Sequence, residues 1–188
     1  MIKTRKDLKE YLSVEYYDFV NRGSKLKNKV LPPPNYLYIK ILRKYEYYLN
    51  TGNKLMTLWY FYRMYRIRMR TGITIPCNTC GKGLTLYHHG SIVVNPATRI
   101  GANCCIMNNV NIGANQGSDK APIIGNDVYI GPGAVIFGDI SIADGCYIGA
   151  NAVVNKSVDE PNSVIVGIPA KIIKTDSIHW WEKNKLIR

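Results

Sequence analysis

From Val94 to Val154 a branched aliphatic residue recurs every sixth position with one gap: Val94, Ile100, Ile106, Ile112, then Ile124, Ile130, Ile136, Ile142, Ile148 and Val154. A helix repeats its apolar positions about every 3.6 residues and a strand about every 2, so a period of six predicts short flat segments joined by tight corners and wound into a parallel β-helix. Small residues fall four positions after the aliphatic, at Cys104, Val110, Val128, Ala134, Cys146 and Ala152, and are expected to line the inside of the prism. Gly follows the aliphatic at 101, 113, 125, 131 and 149, which suggests a corner needing positive φ at that position.

The missing aliphatic falls in the polar stretch 114–121, ANQGSDKA. Because Ile112 and Ile124 are two periods apart, the interruption keeps phase and reads as a loop thrown out of the coil, a place where function concentrates.

The front of the chain has a different pattern. Thr4, with Asp7 three residues on, is suited to cap a helix running through Leu8, Leu12 and Tyr16 toward Val20. The basic stretch 22–29 and the run Pro32, Pro33 and Pro34 then break it. A second helix is predicted over 35–49, stopped by Thr51, Gly52 and Asn53, and a third over 54–70. In the third, Leu55, Leu58, Trp59, Tyr62 and Tyr65 recur at helical spacing, while Arg63, Arg66 and Arg70 form a basic stripe. The organisation read from these patterns is a basic, Tyr-rich α-helical segment over 1–71, a mainly β domain of hexapeptide repeats over 72–174 with its loop at 114–121, and a tail over 175–188 that includes Trp180 and Trp181.

Charge sharpens this division. Residues 1–70 carry 16 Lys and Arg against 5 Asp and Glu, and residues 71–188 carry 9 against 8, so nearly all of the net +12 lies in front. Such a field attracts anions, but no nucleic-acid motif accompanies it, and nucleic acid is not an expected partner. The basic stripe has two readings: a solvated face on helices that pack over the coil and against neighbouring subunits, or peripheral attachment to the inner face of a membrane.

No run approaches the roughly 18 apolar residues of a membrane span and no signal-type segment follows the N-terminus, so a cytoplasmic protein is expected. The five cysteines form no disulfide framework, and the lone CxxC pair Cys77 and Cys80 lacks the further ligands of a zinc site, so no metal is expected.

The hexad run, the loop after Ile112, the string LTLYHHGSIVVNPATRIG and the ending VGIPAKII resemble the hexapeptide-repeat acetyltransferases, in particular their serine acetyltransferase-like branch. The resemblance covers 72 to about 174. It implies a left-handed parallel β-helix, a homotrimer with active sites between adjacent subunits, and transfer of acetyl from acetyl-CoA to a hydroxyl. Such a reaction needs a base, and His88 aligns with the family's catalytic histidine; His89 is its neighbour and His179 lies in the tail.

The family's orienting aspartate is replaced by Thr74, and the aspartate before the catalytic histidine by Tyr87. Thr74, a backbone carbonyl or Asp119 are the candidates to orient His88. In the loop, Lys120 and Ala121 stand before Pro122 where the family carries Arg and His. A site without those charges suits a sugar or glycan hydroxyl better than zwitterionic serine, as in the polysaccharide-biosynthesis O-acetyltransferases that resemble this branch. Serine O-acetyltransferase is the alternative reading, and a non-enzymatic β-helix scaffold a more distant one. For acetyl-CoA the resemblance implicates the corner residues Gly113, Ala114, Gly131, Pro132, Gly149 and Ala150, with Lys156 and Lys171 for the adenosine phosphates.

Overall fold

The computed structural model describes residues 1–20 and 32–177, with backbone alone at 17–20. The basic stretch 22–29, His179, Trp180 and Trp181 lie outside the described residues.

Helix α1 (Arg5–Val20) begins at the expected cap. The Thr4 hydroxyl accepts from the Asp7 amide at 3.1 Å while the Asp7 carboxylate accepts from the amides of Thr4 and Lys3, both at 2.9 Å. Helix α2 (Pro34–Asn50) starts with Pro in its first turn, where the missing N–H costs nothing. It turns back at Gly52, with φ of 72°, into α3 (Lys54–Thr71), capped by the Asn53 side chain accepting from the Met56 amide at 3.1 Å. Gly72, in the left-handed region, ends α3 and leads the chain directly into the coil.

Three parallel sheets wall the left-handed β-helix. Sheet A holds β1 (Ile73–Thr74), β3 (Ile92–Val94), β6 (Val110–Gly113), β9 (Val135–Phe137) and β12 (Val153–Val154). Sheet B holds β4 (Arg99–Ile100), β7 (Ile123–Ile124) and β10 (Ser141–Ile142). Sheet C holds β2 (Thr85–Leu86), β5 (Cys105–Ile106), β8 (Tyr129–Ile130), β11 (Tyr147–Ile148), β13 (Val164–Gly167) and the antiparallel β14 (Ala170–Lys174).

Register stacks the period-six aliphatics in three inward columns: Val94, Ile112, Ile136 and Val154 in A; Ile100, Ile124 and Ile142 in B; Ile106, Ile130, Ile148 and Ile165 in C. None is more than 4% exposed, and the small residues four positions on are equally buried, Cys104 and Cys146 among them. The coil core continues into Leu42, Tyr60, Met64 and Ile67 of the helices.

The glycine expectation is corrected in its reason. Gly101, Gly125, Gly131 and Gly149 do not have positive φ. They are required because the next coil lies against them: an added Cβ would stand 2.5 Å from Gly125 O at Gly101 and 2.8 Å from Ala150 N at Gly131. Positive φ falls instead three positions after the aliphatic, at Asn103, Asn109, Asp127, Gly133, Gly145 and Asn151. Asn and Asp tolerate that conformation through local side-chain hydrogen bonding, so the corner did not require glycine.

The third helix also differs from its pattern. Leu55, Leu58, Trp59, Tyr62 and Tyr65 all face outward, and the buried face is Tyr60, Met64, Ile67 and Thr71. The two faces are both apolar, so spacing alone did not choose which one packs on α2.

A buried ion cluster locks helices to coil. Arg43 of α2 is fully buried and donates to Glu15 of α1 at 2.7 and 2.9 Å, to Glu46 at 3.0 Å, and to the carbonyls of Cys80 and Gly81 at 3.0 and 2.6 Å. Burial alone would lower the Arg43 pKa, but the two carboxylates outweigh it and hold the guanidinium charged. Among the described residues, no helix is long and apolar enough to cross a membrane.

Candidate active site

His88 follows β2 at the corner where the chain passes from sheet C to sheet A, and its side chain is exposed. Two anchors shape this corner. Gly90, with φ of 140°, donates its amide to the Thr71 carbonyl at 2.9 Å, tying the segment to the end of α3. Asn35, at the start of α2, donates from Nδ2 to the carbonyls of Leu86 and Tyr87, the latter at 3.2 Å. Asn35 was not singled out in the sequence, because a contact across 51 residues leaves no local signal.

The same corner repeats up the coil. After β8 it is Gly131 and Pro132, and after β11 Gly149 and Ala150, so four of the residues implicated in acetyl-CoA binding stack in the column that begins with His88. The coil already uses several of their amides: Gly131 donates to Ile148 O and Gly149 to Ile165 O, both at 2.8 Å. Pro132 lacks an N–H, and Ala150 is a donor of this column able to face a ligand.

Gly113 and Ala114 stand at the other edge of sheet A, where the chain turns toward sheet B. Ordinary corners there span six residues from Val94 to Ile100 and from Ile136 to Ile142; from Ile112 to Ile124 the corner carries one whole extra hexad. Residues 115–120 are all exposed, and Ala121 and Pro122 return to the interior. Ser118 donates its amide to Asn115 O at 3.0 Å, and Lys120 pairs with Asp139 of the next corner at 2.6 Å. Asp119 is exposed, as are Lys156 just past β12 and Lys171 in β14.

Thr74 lies exposed on β1, in register with Val93. Among the described residues no hydrogen bond joins His88 to Thr74 or to Asp119. The candidate residues therefore fall into two groups on opposite edges of sheet A: His88 with the stacked corners on one, the loop with Asp119 and Lys120 on the other.

Tyr87 is half-buried beside sheet C, whose outer face carries a further feature. Tyr129 and Tyr147 stack at 4.3 Å and 7° on adjacent strands. Burial, then the neighbouring Tyr147, pushes the Tyr129 hydroxyl well above its ordinary range, and Tyr87 adds to the effect. Their signal is present in the sequence, since each Tyr precedes a period-six Ile by one residue and the two stand 18 positions, three periods, apart.

Burial raises the thiol of Cys77 to about 12 and that of Cys80 to about 11, which leaves both protonated and unreactive at neutral pH. Among the described residues no group of three or more His, Cys, Asp or Glu converges.

Comparison with known proteins agrees with this architecture. The bacterial transferase hexapeptide (six repeats) family matches residues 121–156. A serine acetyltransferase of Buchnera aphidicola is 34% identical over 155 residues, 78% of this chain and 55% of its own length. One from Staphylococcus aureus is 38% identical over 114 residues, 59% of this chain and 53% of its own. The chain thus spans about half the length of these curated relatives.

Among solved structures, a Brucella abortus serine acetyltransferase superposes with a TM-score of 0.77 at 27% identity, covering 93% of this chain and 72% of that one. The Neisseria gonorrhoeae serine acetyltransferase in complex with serine gives 0.74 at 26%, covering 90% and 70%. By its repeat, its coil and these relatives, the chain is similar to the hexapeptide-repeat transferases, and among them to serine acetyltransferases.

Proposed function

We propose that the protein is an acetyl-CoA-dependent O-acetyltransferase with His88 as its general base. The observation that carries this reading is the placement of His88 at the first of a column of corners whose upper two, Gly131–Pro132 and Gly149–Ala150 above Met107–Asn108, carry small residues that leave room for a long thin donor. In the reaction, the His88 imidazole takes the proton of an acceptor hydroxyl as its oxygen attacks the thioester carbonyl. The tetrahedral intermediate then expels the CoA thiolate, which recovers that proton from the imidazolium. Ala150 on the His88 edge, and Ala114 on the loop edge of an adjacent copy, supply amides to the pantetheine arm, Pro132 shapes its path, and Lys156 and Lys171 meet the adenosine phosphates.

The split of the candidate residues across sheet A favours a homotrimer, in which the loop of one copy closes on the His88 edge of the next. In that assembly Asp119 of the loop is the candidate to orient the imidazole, with Thr74 as the alternative.

The relatives' names support serine as the acceptor. A second reading, a sugar or glycan hydroxyl, rests on one observation: between Glu46 and Asp119 the chain carries no Asp or Glu, so no carboxylate from the His88 edge meets an ammonium group. Tyr87, with Tyr129 and Tyr147 behind it, offers aromatic surface instead.

A thiol-release assay with acetyl-CoA against L-serine, nucleotide sugars and oligosaccharides tests both readings. Release with at least one acceptor is expected, and His88→Ala should lower it by about 10² or more. Full activity in that variant would overturn the role of His88. Turnover with L-serine at millimolar concentration would overturn the sugar reading, and turnover with a sugar alone the serine reading.

A further inference from the structure

The outer face of α3 is unaccounted for by acetyl transfer. At 100° per residue, Leu55, Leu58, Trp59, Tyr62, Tyr65 and Met69 fall within an arc of about 140°. Each is more than half exposed, from Tyr62 at 51% to Leu55 at 77%. The stripe runs from Leu55 to Met69 along α3, about 21 Å. A contiguous apolar strip of that size on a protein surface marks a contact.

Its charge identifies the class of contact. Arg66 and Arg70 lie in the same arc, both exposed, and α3 holds Lys54 and four arginines with no acidic residue. Arg66 donates to the Tyr62 hydroxyl at 3.2 Å and sits 6.0 Å over its ring, which keeps the guanidinium at the level of the aromatic side chains.

A second copy of the chain laid on this face about a two-fold axis would set arginines against arginines with no carboxylate in the helix to separate them. A nucleic acid would match the charge but leave Leu55, Leu58 and Met69 unburied. An anionic phospholipid surface satisfies both: the guanidinium groups meet phosphates, the aromatic rings sit at headgroup depth, and the aliphatic side chains enter the acyl boundary.

We propose that the outward face of α3 is a docking surface for an anionic phospholipid membrane, holding the enzyme peripherally with the helix parallel to the bilayer plane. Three arginines near a surface field add to this: Arg63 flanks the arc, half-buried with its guanidinium 5.5 Å from the Tyr60 ring.

The test uses the full chain and phosphatidylcholine vesicles with and without phosphatidylglycerol. Co-sedimentation with the anionic vesicles, reversed by high salt, is expected, with little binding to phosphatidylcholine alone. In a Trp180→Phe/Trp181→Phe background Trp59 is the sole indole, and its emission should shift to the blue on binding.

Arg66→Glu/Arg70→Glu should weaken partition by about 30-fold or more, from ~1 kcal/mol per arginine at the surface converted at 1.4 kcal/mol per factor of ten. Leu58→Ser/Trp59→Ser should weaken it independently of salt. Thiol release with a soluble acceptor should be unchanged in both, which separates this surface from the catalytic reading. Absence of partition, or partition that charge reversal leaves intact, would overturn the proposal. So would a Trp59 already blue-shifted without lipid whose emission moves to the red when charge reversal splits an oligomer, since the face would then be a subunit interface.

Discussion

Replacing Arg43 by Met removes the cation from a cluster with no solvent to fall back on. The Arg43 and Glu15 side chains are 0% exposed and that of Glu46 is 2% exposed. The five hydrogen bonds of Arg43 join α1, α2 and the first coil, and their loss strands two carboxylates and the carbonyls of Cys80 and Gly81. Breaking a buried pair from one side costs about 3–5 kcal/mol, a large part of the roughly 5–15 kcal/mol that holds a domain together.

Glu15 is already raised above its ordinary 4.5, because burial outweighs the pull of Arg43, and without the guanidinium it rises further. A carboxyl raised in the folded state contributes stability at low pH that is lost as pH climbs through its folded value, so the deficit of Arg43→Met should widen with pH above 4.5. Urea denaturation followed by helical circular dichroism at several pH values measures both effects. Adding Glu15→Gln and Glu46→Gln should recover more than half of the loss, since the stranded charges are then gone. A loss below about 1 kcal/mol for Arg43→Met, the size of a surface pair, or no recovery in the triple variant, would refute the buried-charge argument.

Asn35→Ala should lower kcat for acetyl transfer by about tenfold or more while leaving the KM for acetyl-CoA and the pH profile in place, because it loosens the segment before His88 without touching the donor. Asn35→Asp should be worse, since a carboxylate would oppose the Leu86 and Tyr87 carbonyls. Gly131→Ala places a Cβ 2.8 Å from Ala150 N and should cost about 1–3 kcal/mol in thermal denaturation. Gly113→Ala, whose nearest such neighbour is 3.5 Å away, should change stability by less than about 0.5 kcal/mol. Asp7 is held below its ordinary 3.8 by the amides of Lys3 and Thr4, so its cap is intact above 3.8 and is lost as pH falls below that through its lowered folded value; fraying of α1 under acid, absent from Asp7→Asn, is the expected result in amide exchange.

The coil was legible because each of its rungs buries one aliphatic side chain per wall, and a parallel register repeats that demand every six residues. Helix ends were legible for the same local reason: Thr4 with Asp7, and Asn53, satisfy amides within their own turn. The glycine column shows in the sequence, but its reason does not. Its cause is the next coil about 4.8 Å above, a contact between residues 18 or more apart that no backbone preference at one site records.

The candidate site was legible only in part. His88 and the inserted hexad stood out as departures from the period, whereas their positions on opposite edges of sheet A follow from which corner each occupies. Asn35, the Arg43 cluster and the Tyr129–Tyr147 stack join residues far apart in the chain, so only packing could pair them. Helix α3 makes the division plainest. Its sequence determined a helix with two apolar faces and a row of arginines, because those properties depend on spacing alone. Which face met α2, and which was left bare with Trp59, Tyr62 and Arg66 on it, was decided by the tertiary structure, because burial depends on what the fold brings alongside.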